Sequence, residues 1–504
     1  MKLRMIAAVL VLIGAAPAPK LGPDTAAWWK TTAELSSDSM EGRDTGSAAY
    51  MRAARLVASR FEAAGLKPAG EKGTWFQTVP MHEVAVTGAS FRVAKRPLVF
   101  LHDLTISPNA ATPARVDAPL YFGGYCGGEL GNVRGKIVIC HGTHRDRLPG
   151  AAERENAVRA AGAAGILTIA DPGFTVEPPR WPYAYARSVT LANEPRQDDP
   201  FLRMTLNAAS LGKLLAGTGR NAAALIAAGS AGKPLPSFAI GDRLQARIAI
   251  RRRDISSPDV LGLLPGSDPK LADEAIVLSA HLDGYGYGEP VKGDRLYNGT
   301  LDDAAYVALL IRLAERRHGQ PYRRPILFAA FTGEEKGLLG SRWYVAHPTV
   351  PLSHTAADIN LDQLRPIFPL KLLTVHALND TSLGDDARAV ANGLGIQVQV
   401  DPEPERNLIR RTDHWPFMQG GIPATNFVFG FRPGSKSEQI YRQWYRTGYH
   451  KPQDDLNQLM DFKAAADFNR FFYELVGRVA DKQTAPRWKP GSALGPRRRV
   501  NGKS

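Results

Sequence analysis

Cysteine is almost absent from this sequence: Cys126 and Cys140 are the only two in 504 residues. A framework of several disulfides is excluded by that count, and a structural zinc site built on cysteines goes with it. One bridge remains open in an oxidising compartment, with two buried free thiols as the other reading. Long apolar runs are also lacking. The stretch Met5 to Gly14 is the longest, too short to span a bilayer, so no stable membrane insertion is expected. There is no internal repeat and no low-complexity segment. Basic residues outnumber acidic ones by 63 to 49, a net charge of +14, yet they are scattered except at Arg251 to Arg253 and Arg497 to Arg499. No nucleic-acid-binding signature accompanies them, so nucleic acid is not an expected partner.

What is present is an ordinary globular composition, 44% hydrophobic and 22% charged, on a chain long enough for two domains. Lys2 and Arg4, the apolar run after them and Ala16-Pro17-Ala18 read as a signal peptide over residues 1–18. The expected location is therefore secreted or periplasmic, and no cysteine at the cleavage region invites a lipid anchor. An amphipathic helix is expected over Ala48 to Leu66, its apolar face carried by Met51, Ala54, Val57 and Phe61. From about Val84 to Asp254 short alternating strands predominate, with Gly and Pro between them and a helix over Ala151 to Ala161. After Val260 strand-like runs alternate with helix-like ones: Ala275 to Ala280, Asp303 to Arg316, Ile326 to Phe331, Gly337 to Ala346, Ile359 to Leu361, Leu370 to Ala377, Thr425 to Phe429 and Phe462 to Ala480. That order predicts an α/β fold, a mostly parallel mixed sheet with helices on both faces. The β-rich stretch is then an insertion into it.

Open α/β sheets bind ligands at the carboxyl ends of their strands. His281 and Asp283 follow the first of these strands, Glu334 and Glu335 the next, and Asp362 the third. Asp302 and Asp303 open a helix between the first two, and His450 follows the last strand after a long loop. Taken singly, each has an ordinary reading: a satisfied histidine, a solvated pair of glutamates, a helix N-cap, a turn residue. Together they bring two imidazoles and several carboxylates to one sheet edge, a mixed nitrogen and oxygen donor set that suits zinc.

The motifs His281-Leu282-Asp283, Asn298-Gly299-Thr300-Leu301-Asp302-Asp303, Phe331-Thr332-Gly333-Glu334-Glu335-Lys336-Gly337, Asn360-Leu361-Asp362 and Tyr449-His450-Lys451-Pro452-Gln453-Asp454 resemble, in order, those of the di-zinc exopeptidases. That family includes bacterial leucyl-type aminopeptidases, glutamate carboxypeptidase and the non-catalytic transferrin receptor. Gly123 to Thr218 is similar to the protease-associated domain inserted in such enzymes. Glu41-Gly42-Arg43 and Ala64-Gly65-Leu66-Lys67-Pro68 resemble the family's N-terminal segment. The resemblance implies two Zn2+ per chain, His281 and Asp362 on one, Glu335 and His450 on the other, and Asp302 bridging. It implies Glu334 as general base, Asp283 fixing the His281 tautomer, Tyr449 helping at the oxyanion, and Asp413 and His414 on the substrate side. The domains it implies are an N-terminal part of the peptidase domain over 24–83, the protease-associated insertion over 84–254, the main peptidase domain over 255–482 and a basic, disordered tail over 483–504. An aminopeptidase acting on peptides is the expected activity. A carboxypeptidase or dipeptidase, which would use Arg410, Arg411, Arg432 or Lys436 for a terminal carboxylate, a single-zinc glutaminyl cyclase and a receptor-like ectodomain are the alternatives. One departure stands out: Ala305-Tyr306 replaces the small pair, such as Ser-Gly, that follows the bridging motif.

Overall fold

A computed structural model describes residues 21–495 apart from 197, 198, 319 and 363. The expected signal peptide and the last nine residues of the basic tail lie outside that range. In the half that follows residue 255, Ala275–His281 pairs in parallel with Ile326–Phe331 on one side and Thr355–Asn360 on the other. Ala424–Thr425 extends the parallel set next to Thr355–Asn360. Strand residues alternate between two apolar clusters, as period-2 geometry demands. Ile276, Leu278, Ala280, Ile326, Phe328 and Ala330 face the helices Pro23–Leu35, Ala48–Ala63, Ala305–Arg316 and Phe462–Asp481. Val277, Leu327, Ala329 and Phe331 face Tyr344, Phe417 and Met418 on the other side. Both faces of the sheet are covered, as expected.

The strand Phe238–Leu264 ties the two halves together. Its end pairs antiparallel with Ile326–Phe331, from Leu264 opposite Ile326 to Val260 opposite Ala330. Its beginning pairs with Arg115–Phe122, and between Leu244 and Val260 it runs beside Phe76–Val93. One sheet of 14 strands therefore passes from the half that follows residue 255 into residues 84–254. There the strands Arg115–Phe122, Ile137–His141, Gly165–Ala170 and Leu202–Asn207 run parallel over a separate apolar cluster that includes Phe122, Ile139, Leu167 and Leu206. The expected boundaries at 84 and 254 fall inside two continuous strands rather than in linkers.

Other expectations are refined. The helix predicted from Ala48 runs Ala48–Ala63, with the Ser47 hydroxyl accepting from the Tyr50 amide, and Gly65 at φ 80° turns the chain out of it. Leu372–Val375 and Phe427–Phe429 do not join the large sheet. They form a three-stranded sheet with Gln397–Gln399, because the run predicted over Thr425 to Phe429 is split after Thr425. Cys126 and Cys140 are bridged. The tail is packed as far as it is described: Trp488 Nε1 donates to the Gly421 carbonyl at 2.7 Å, and Arg487 donates its amide to Ser382. The Trp488 indole is partly buried against the apolar cluster that holds Phe417 and Met418.

The helix Ala305–Arg316 lies at the centre of the larger core, and Leu309 on it is fully buried. Leu309→Ala should cost about 3 kcal/mol by lost burial and the cavity left behind. Leu459→Ala, at a position 58% exposed, should stay within about 0.5 kcal/mol of the parent in the same denaturant titration.

Candidate metal centre and active site

The carboxyl ends of the parallel strands gather the residues singled out in the sequence. His281 ends its strand, and Asp362 stands two residues beyond Asn360. Glu334 and Glu335 follow Phe331 after a turn in which Gly333 takes φ 67°, a conformation open to glycine. Asp302 precedes the buried helix, and His450 follows the helix Lys436–Thr447. Two three-residue groups result: His281, Asp302 and Asp362, and Asp302, Glu335 and His450, with the donor atoms of each group within 4.8 Å of one another. Asp302 belongs to both. Its Oδ1 lies 3.3 Å from His281 Nε2, and its Oδ2 lies 3.3 Å from His450 Nε2. Glu335 Oε2 is also 3.3 Å from His450 Nε2.

The electrostatics of this set fit divalent cations. Burial together with the charge on Asp302 pushes the Glu335 carboxyl up to about 8. Burial, with Asp362 and Glu335 adding to it against the pull of His281, holds Glu334 well above the usual carboxylate range. Asp302 goes the other way: burial opposes its ionisation, but Arg365 beside it and the two imidazoles hold it well below the ordinary value. Glu335 Oε1 is buried with no hydrogen-bond partner among the described residues. Several acids thus crowd together at one sheet edge, where their mutual repulsion opposes full ionisation unless cations join them. Two imidazoles and oxygen donors with no thiolate are a donor set for zinc.

Family comparison agrees with this geometry. Residues 259–476 match the model of peptidase family M28. Aminopeptidase YwaD of Bacillus subtilis (strain 168) is 25% identical over 238 residues, 45% of this chain and 48% of that protein. The alkaline phosphatase isozyme conversion protein of Escherichia coli (strain K12) is 30% identical over 182 residues, 32% of this chain and 52% of that protein. The chain spans about half the length of these curated relatives. Among solved structures, an aminopeptidase from Aneurinibacillus sp. strain AM-1 superposes with a TM-score of 0.60 at 17% identity, over 94% of this chain and 96% of that one. A zinc aminopeptidase from Bacillus subtilis gives 0.61 at 19% identity, over 93% and 98%. The fold is therefore shared over nearly the whole chain, well beyond the matched M28 segment.

Around the donor atoms of the M28 segment lies a layer of positioning contacts. His281 Nδ1 donates to the Asp283 backbone carbonyl at 3.0 Å, which leaves Nε2 for a metal. The Asp283 carboxylate was expected to hold that nitrogen, but its Oδ1 is 3.7 Å away. The carboxylate accepts instead from the Thr45 hydroxyl at 2.9 Å and the Glu334 amide at 3.0 Å, so it fixes the turn that carries the two glutamates. Asp454 accepts from the Leu301 and Asp302 amides at 2.9 and 3.0 Å and clamps the bridging loop. Buried Arg43 donates to the carbonyls of Leu35, Leu282, Asn298 and Gly299, fastening the N-terminal segment to both metal-side loops. Buried Arg365 reaches to 3.4 Å from Asp302 Oδ2 and lies over the Trp444 ring. No role was read for Arg43, Asp454 or Arg365 in the sequence, although Arg43 and Asp454 stand within its motifs.

The M28 site opens into a cavity of about 340 Å³ lined by Tyr285, Glu334, Glu335, Arg410, Tyr449 and His450 among others. Residues 84–254 contact several residues that line this cavity. Arg180 NH1 lies 2.6 Å from His450 Nδ1, and its guanidinium lies 4.4 Å from the Tyr449 ring centre. The Tyr285 hydroxyl also meets His450 Nδ1, at 2.7 Å. Glu177 takes both hydrogen bonds of Arg411 NH1 at 2.9 and 2.7 Å, and Lys336 donates to the Tyr185 hydroxyl. Tyr449 packs against His450 with ring centres 3.9 Å apart and the planes tilted by 39°. Asp413 and His414 are buried outside the cavity wall: Asp413 accepts from the Ser341 hydroxyl, and His414 stacks on His376. Neither is among the residues that line this cavity. Tyr306 is buried edge-on to Phe468 and does not line the cavity, so the Ala305-Tyr306 departure is absorbed by the core.

Removing the Asp454 clamp tests this outer layer. Asp454→Ala leaves two buried amides unpaired and loosens Asp302, and zinc affinity should fall on the order of 10–100-fold in a chelator competition.

Proposed function

We propose that the chain is a di-zinc exopeptidase that removes amino-terminal residues from peptides. One observation carries this reading: two three-donor groups that share Asp302. A glutaminyl cyclase holding one zinc needs no second group, and a receptor with a decayed site needs neither. His281, Asp302 and Asp362 would hold one zinc, and Asp302, Glu335 and His450 the other. A zinc pair so held supplies Lewis acidity toward the peptide carbonyl and lowers the pKa of an attacking water.

The rest is done by the chain's own groups. Glu334 lines the cavity while Glu335 turns to His450, so adjacent glutamates have separate tasks. Burial and the charges of Asp362 and Glu335 give Glu334 a raised proton affinity, which suits it to take a proton from water and deliver it to the leaving amine. Tyr449, which lines the cavity, would donate toward the developing oxyanion. The carboxylates on the inner wall attract a substrate's free amine. Arg180 beside His450 and Arg410 on the rim favour a second reading, a dipeptidase or carboxypeptidase that also holds a terminal carboxylate. Export from the cytoplasm accords with the Cys126–Cys140 bridge. Among the described residues no helix is long and apolar enough to cross a membrane.

Elemental analysis of gently purified protein should give two zinc per chain, and a value near one that zinc addition does not raise favours the cyclase. Glu334→Gln should lower kcat at least a hundredfold with both zincs retained, whereas Glu335→Gln should lose metal; near-normal turnover by Glu334→Gln would sink the base assignment. An amino-acid anilide should be cleaved and its N-acetyl form spared. Equal or faster release of the last residue from an N-blocked dipeptide moves the enzyme to the carboxypeptidase branch.

A further inference from the structure

Residues 84–254 carry a charge pattern that the peptidase chemistry does not use. On the long strand, Arg243 and Arg247 are exposed on the same side, with Gln245 between them. Arg247 lies directly opposite Arg115 on the neighbouring strand, and Gln245 lies between Asp117 on one side and Arg92 on the other. Asp117 accepts from Arg243 Nε at 2.6 Å, and Arg92 Nε donates to the Gln245 amide oxygen at 2.8 Å. Among the described residues no ion pair joins Arg92, Arg115 or Arg247 to a carboxylate. Four arginines on this face thus share one acid. The Arg251 to Arg253 run noted in the sequence is different, because Arg251 and Arg253 are paired with buried Glu83 and Arg252 donates to the Ala110 carbonyl.

Residues directly opposite on antiparallel strands have Cα atoms only about 4.5–5.5 Å apart, so like charges there destabilise the pair. The Arg115 and Arg247 pair is such a cost, and an anion between them would remove it. Arg92, Arg115 and Arg247 also line a shallow groove of about 590 Å³ that crosses three strands. Along a strand, outward positions repeat every 7 Å or so, and neighbouring strands lie about 4.8 Å apart. The cations therefore recur at intervals below a nanometre in two directions. Guanidinium forks bind sulfate, phosphate and carboxylate groups with two hydrogen bonds each.

The surroundings decide what kind of anion fits. A protein partner would need an apolar, aromatic centre to its interface. An embedded membrane contact would need protruding apolar groups. Of the large exposed apolar residues, Val99 alone follows a strand of this face, Arg96–Leu98. We propose that this face docks a linear anionic polysaccharide, whose sulfate or carboxylate groups bridge the opposed arginines.

Heparin serves as the probe, with the full chain and a salt series. The variant Arg92→Gln/Arg115→Gln/Arg247→Gln should bind at least tenfold more weakly, and its log-log salt slope should fall by about three. A control of equal charge loss, Lys463→Gln/Arg470→Gln/Arg432→Gln, should weaken binding less than twofold. The triple variant should melt at the same temperature as the parent or higher in low salt, since a like-charge pair is relieved; a purely structural role would lower it. The proposal is overturned by any of three results: equal weakening in the control, no binding by the parent at physiological salt, or tighter binding to poly-glutamate or anionic phospholipid vesicles than to heparin.

Discussion

Everything in the catalytic half is arranged around one carboxylate that faces two ways. The oxygens of Asp302 point at two different imidazoles, and neither histidine belongs to the element that carries Asp302. To hold such a group in place the fold closes the loop with Asp454, stretches Arg43 across two loops from the N-terminal segment, and sets Arg365 behind it. Each of these is a buried charge that would be costly if its partner were removed. They make the site rigid before any ion enters, as a metal centre that orients a reaction requires.

Much of this was legible in the sequence because the chemistry sits at strand ends. The apolar runs Ala275 to Ala280 and Ile326 to Phe331 are unmistakable, and the residues just after them fall at the edge of the sheet whatever the details of packing. His281, Glu334, Glu335 and Asp362 are found that way, and motif order adds Asp302 and His450. The residues that escaped act through distance in the chain. Arg180 reaches His450 across 270 positions, and Arg43 reaches Asn298 across 255. No periodicity connects such pairs, and a buried arginine reads in sequence like any surface one. The Asp283 contact escaped for a different reason: the backbone carbonyl of Asp283 competes with its own carboxylate for His281, and a motif cannot tell one from the other. The small sheet around Leu372–Val375 was misplaced because a strand's partner is settled by long-range packing, which its composition does not record.

The unit between residues 84 and 254 is attached to the catalytic half and braces residues that line its cavity. Glu177, Arg180 and Tyr185 lie on a segment of that unit, yet their partners Arg411, His450 and Lys336 lie in the catalytic half. Residues on the cavity wall are thus held from behind by a region far away in sequence that has its own apolar cluster.

The continuous strand Phe238–Leu264 gives this arrangement a mechanical character. Units joined by loose linkers can swing apart about a hinge, and their cleft widens to admit what it must. Here the joint is a hydrogen-bonded ribbon, paired from Leu244 opposite Val93 to Val260 opposite Phe76. Widening the entrance means bending that ribbon along its length, which is far stiffer than turning about a linker. The two regions are accordingly joined by a continuous stretch of sheet, so that a change in one is carried to the other through paired strands rather than lost in a slack connection.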